Sequence, residues 1–123
     1  MPTISPDETI TISITDRNRA ATVAWYKQHL GFEEIYSAEE AGWTELATNT
    51  PGVTLGLADS VEVTPSNTMP VFGVPDCDAA RAALEAAGIA FDGDTIHMEG
   101  MVKVAAFADP DGNPLMIAQD LTK

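Results

Sequence analysis

Cysteine and positive charge are the two things this chain most lacks. A single thiol, Cys77, in 123 residues excludes an internal disulfide and any zinc motif built on paired cysteines. Two readings of Cys77 stay open: a thiol activated at a helix start, or a small residue that simply packs. Six Lys and Arg face nineteen Asp and Glu, a formal charge of −13. That sign repels phosphate backbones and argues against a nucleic-acid partner. It suits a neutral or cationic ligand, or serves solubility alone. No apolar run reaches the roughly 18 residues of a membrane span. The opening MPTISPDETI has no basic n-region or apolar h-region, so a cytoplasmic protein is expected. Nucleophile elbows, phosphate loops and dinucleotide fingerprints are missing too. What is present is ordinary globular usage, 45% apolar and 20% charged, in a length that suits one domain with a core.

The order of elements repeats. In ETITISIT (8–15), Ile10, Ile12 and Ile14 alternate with Thr9, Thr11 and Ser13, the pattern of a half-buried strand. Asp16 is the expected N-cap of a helix running to about His29, with Val23, Tyr26 and Leu30 inward and Gly31 as C-cap. Strands are expected over 32–37, 43–47 and 53–58. The second half starts with a strand at 69–74, then Asp76 as N-cap. Its helix is expected to turn Ala80, Ala83, Leu84 and Ala87 inward, with Gly88 as C-cap. Strands at about 89–97, 101–107 and 114–119 complete it. The fold class is therefore α+β: two tandem β-α-β-β-β modules, about 8–58 and 69–119, in a single domain. The polar segment 59–68 links them.

Three strings carry a resemblance: ITD with AWYKQHLGF (14–16, 24–32), VPD (74–76) and FADPDGNPL (107–115). In this order and spacing the chain resembles the vicinal oxygen chelate superfamily of glyoxalase I, bleomycin-resistance proteins and extradiol dioxygenases. The resemblance implies curled half-barrel sheets around a cleft, and commonly a homodimer. It also implies four metal-ligand positions, which fall here on Thr9, Gly56, Met69 and Met116. One hydroxyl, one glycine and two thioethers cannot replace His and Glu on a hard or borderline divalent ion. No metal and no cofactor is expected.

Alternation then suggests what lines the cleft. If the Ile residues of the first strand and Leu46, Leu55 and Leu57 face the helix, then Thr11, Ser13, Trp43, Glu45, Thr54 and Gly56 face the ligand. Met69 and Met116 join them, or else fill a collapsed core. Hydroxyls, an indole, a carboxylate and thioethers suit a planar or amphipathic organic molecule. Of two histidines, His29 reads as a helix-end residue. His97 is the candidate general acid or base, with Glu45 or Glu99 orienting it. The leading expectation is a metal-free binder of a neutral or cationic organic ligand. The alternative is a metal-independent lyase or isomerase of the same fold.

Overall fold

A computed structural model describes residues 2–62 and 66–122. The chain forms two compact units, 1–63 and 64–123, here called module one and module two. Module one contains β1 (Ile10–Asp16), α1 (Arg19–Leu30), β2 (Glu33–Ala38), a 3-10 turn (Glu39–Ala41), β3 (Trp43–Ala47) and β4 (Val53–Asp59). Its four strands lie in the order β1-β4-β3-β2, with β1 and β4 parallel and the other pairs antiparallel. Module two repeats the plan with β5 (Val71–Gly73), α2 (Cys77–Ala86), β6 (Phe91–Met98), β7 (Val102–Ala108) and β8 (Pro114–Asp120). Its order is β5-β8-β7-β6, again with the first pair parallel. The duplication read from sequence is thus present strand for strand, and neither sheet closes into a barrel.

Each sheet carries its helix on one face. In module one Ile12 pairs with Leu55 and Ile14 with Leu57, while Leu55 pairs with Leu46 and Leu57 with Thr44. This face meets Thr22, Val23 and Tyr26 of α1, all buried. Tyr26 stacks on Phe32 at 5.8 Å and 10°. In module two Leu115, Ile117, Ala105 and Phe107 are buried with Cys77 and Leu84 of α2. Such burial stabilises by about 25 cal/mol per Å² of apolar surface removed from water.

Four local expectations need correction. Asn18, not Asp16, caps α1: its side chain accepts from the Ala21 N–H. Asp16 is instead the last residue of β1, and its Oδ1 accepts from the Asn18 N–H at 2.6 Å. The inner stripe of α2 is Cys77, Ala80, Arg81 and Leu84; Ala83 and Ala87 are exposed. The C-cap of α2 is Ala87, with Gly88 following at φ +93°. Finally, β1 and β5 begin later than expected, which leaves Thr9 and Met69 just before their strands.

Candidate functional site

The helix-free face of module one gathers most of the polar and aromatic residues singled out from sequence. Across its strands, Ser13 sits opposite Gly56, Gly56 opposite Glu45, and Glu45 opposite Tyr36. The next row runs from Thr15 through Ala58 and Trp43 to Ala38. Thr11 lies opposite Thr54, their hydroxyls 2.9 Å apart. Thr11, Ser13, Trp43 and Glu45 therefore share one face, as their alternation with Ile12, Ile14, Thr44 and Leu46 suggests.

Gly56 seats the indole. A Cβ at this position would lie 2.0 Å from both Cζ2 and Cη2 of Trp43, so the six-membered ring occupies the space that a side chain at 56 would fill. From that seat Trp43 Nε1 donates to Glu45 Oε1 at 3.3 Å. Tyr36 Oη donates to the same oxygen at 3.1 Å. Sequence reasoning missed Tyr36, and the cause is a bulge. Glu34 pairs with Leu46 but Tyr36 pairs with Glu45, so β2 carries one extra residue. One extra residue moves every later side chain to the other face.

Behind the sheet, Arg19 locks the β3 end of this arrangement. Its guanidinium bonds Thr44 Oγ1 at 2.7 Å, Asp59 at 2.9 Å and Glu39 at 2.8 Å. Those bonds raise the Arg19 pKa, Glu39 contributing most, and hold the Glu39 carboxyl below its usual range.

Module two has a helix-free face of different character. Met116 lies on it between Val71 and Ala106, and Ala118 lies between Gly73 and Val104. Ile96 and Met98 continue it at 57% and 48% exposure, so this surface is largely apolar. Met69 stands at its margin, before β5. His97 is on the opposite face. It pairs with Lys103, whose Nζ reaches Asp78 of α2 at 2.6 Å. His97 Nε2 lies 3.4 Å from Glu99 Oε2. Of the two orienting carboxylates considered, Glu99 is therefore adjacent, whereas Glu45 belongs to module one and bonds Trp43 and Tyr36. Cys77 is buried at the start of α2, and burial pushes its thiol pKa up. That is the packed residue of the two readings, since activation requires a lowered pKa.

The metal implied by the resemblance does not fit these residues. Gly56 supplies no side-chain ligand, and the space in front of it holds the Trp43 ring. Among the described residues, no three His, Cys, Asp or Glu side chains form a group that could hold a metal ion. No helix among them is long and apolar enough to cross a membrane.

Comparison with known proteins agrees with this fold. The model of the Glyoxalase/Bleomycin resistance protein/Dioxygenase superfamily matches residues 10–117, and the chain belongs to that superfamily. A glyoxalase family protein from Bacillus anthracis superposes with a TM-score of 0.78 at 19% identity, over 98% of this chain and 99% of that one. The fosfomycin resistance protein FosX from Listeria monocytogenes gives 0.78 at 16% identity, over 94% and 93%. A glyoxalase/bleomycin resistance protein/dioxygenase from Nocardioides gives 0.76 at 19%, over 98% and 87%. At these identities the likeness is one of fold. No curated protein matches the chain in sequence.

Proposed function

We propose that this chain is a metal-free small-molecule binding protein that holds a neutral or cationic organic ligand on the helix-free face of module one. One observation carries the reading: at Gly56, where the resemblance expects a metal ligand, the Trp43 indole is seated instead, with its N–H on Glu45. A fixed indole beside a carboxylate and the Thr11 and Thr54 hydroxyls offers stacking and hydrogen bonds, the usual furniture of an organic-ligand site. On module two, Met69 and Met116 are proposed as ligand-contacting residues in their own right, offering apolar matter a conformable thioether surface.

Ligand titration followed by tryptophan emission tests this. Trp43→Ala should weaken binding by about 1–3 kcal/mol, the loss for an aromatic anchor. The signal should come from Trp43, because Trp25 is occupied on α1 by an edge contact with Tyr26 at 5.0 Å and a tilted contact with His29 at 5.4 Å. Consumption of the ligand by the wild-type protein, lost in His97→Asn by about 10²–10⁴ in rate, would replace the binder with the lyase or isomerase alternative.

The assembly proposed is a homodimer. Edge strands offer unpaired backbone groups that need covering, and β1, β2, β5 and β6 are the edges of the two sheets. Light scattering should give twice the 13.0 kDa chain mass at tens of micromolar; the single-chain mass would refute it.

A further inference from the structure

We infer that the ligand of this face is an organic cation bearing N–H groups, an alkylammonium or guanidinium, and that Tyr36, Trp43 and Glu45 form its seat. This rests on the binding function proposed above and narrows its ligand class.

Charge balance is the first ground. On the helix-free face of module one, Thr11, Ser13, Thr15, Thr54 and the alanines are neutral, and its charged residues are carboxylates: Glu45 in the middle and Glu33 at the margin, opposite Ala47. No described lysine or arginine pairs with Glu45; Arg19 of α1, which reaches Thr44 of β3, is committed to Glu39, Asp59 and Thr44 on the other face. A half-buried carboxylate without a counter-charge is favourable ground for a cation.

The second ground is how Glu45 is held. Trp43 Nε1 and Tyr36 Oη converge on one oxygen, Oε1, at 3.3 and 3.1 Å. Among the described residues no donor reaches Oε2. A carboxylate oxygen accepts more than one hydrogen bond, so the pair of aromatic donors orients the group and leaves Oε2 for an incoming N–H. The third ground is the ring itself. Gly56 makes room for the indole, and the partly exposed ring offers π-surface to a cation held at Glu45. An anion would meet Glu45 and the −13 field of the chain. A neutral donor could hydrogen-bond Oε2 but would leave the charge of Glu45 unmatched.

The probe is benzylamine, protonated at neutral pH, compared with benzyl alcohol, phenylacetate and benzyltrimethylammonium by shifts of the Trp43 indole N–H resonance. Benzylammonium should move that resonance saturably. Benzyl alcohol and benzyltrimethylammonium should bind about tenfold more weakly, the first lacking charge and the second lacking N–H. Phenylacetate should not bind. Glu45→Gln keeps shape and hydrogen bonding at Oε1 and should abolish the amine's advantage. Glu40→Gln removes the same charge from an exposed surface position and should retain it. Equal affinity for the amine and the alcohol, or an unchanged preference in Glu45→Gln, overturns the cation seat while leaving organic binding standing. Equal affinity for benzyltrimethylammonium overturns the N–H requirement. A Trp43 resonance unmoved by all four probes overturns the cation seat and the binding function together.

Discussion

Replacing Gly56 with alanine puts the indole seat under direct strain. The new Cβ would sit 2.0 Å from two carbons of the Trp43 ring and 3.0 Å from a third. Carbon contacts are comfortable at about 3.5–4.0 Å, so the ring must retreat by roughly 1.5–2 Å. Gly56 lies mid-strand between β1 and β3, where the backbone has little room to give, whereas Trp43 is half-buried and its ring can swing. Alanine also suits a strand better than glycine, which returns up to about 1 kcal/mol. Against this stand the lost ring packing and the Nε1 bond to Glu45, the latter contributing about 0.5–1.5 kcal/mol. The net loss should be about 1–2 kcal/mol, the lower part of the range for overpacking. Urea unfolding followed by circular dichroism measures it, and the Trp43 indole resonance reports the displacement. In a Trp43→Ala background Gly56→Ala should cost almost nothing, because the clash partner is gone. An unmoved Trp43 resonance in Gly56→Ala, or strictly additive losses in the double variant, would refute the seat.

Asp109 is buried and accepts from the Asp111 and Asn113 backbone N–H groups and from Asn113 Nδ2, so Asp109→Ala should cost about 2–4 kcal/mol in urea unfolding by orphaning those donors. Lys103 holds the Asp78 carboxyl below its usual range, so Asp78 contributes stability that is present above the ordinary carboxylate pKa and lost as pH falls through the folded value. Lys103→Met should therefore raise the Asp78 titration midpoint seen by NMR; an unchanged midpoint would contradict the pair. Burial raises the Cys77 pKa, which makes folding less favourable as pH rises past the free-thiol value. Cys77 should react with a disulfide reagent far more slowly in the native protein than in urea, and equal rates would show it to be accessible.

Period-two alternation made the faces of β1, β3 and β4 legible, because Ile12, Leu46 and Leu55 interleave cleanly with Thr11, Glu45 and Thr54. The same rule fails in β2. Counting from Phe32 puts Tyr36 on the helix side, and only the bulge after Glu34 brings it to Glu45. Capping was legible as chemistry but not as position. Asp16 and Asn18 are both capping types two residues apart, and the first became the ligand of the second's N–H. The face of His97 depended on a pairing with Lys103 that no local pattern encodes. Family strings spaced along the chain carried the fold, whereas the seating of the Trp43 indole against Gly56 is not encoded in any local pattern.

The central claim is that an organic ligand is held beside Trp43 without a metal ion. Titrating benzylamine into the protein while following the Trp43 indole resonance, before and after exhaustive chelation, tests it most directly. The account predicts superimposable binding curves in the two samples. Binding that disappears on chelation and returns with one equivalent of a divalent ion would contradict it.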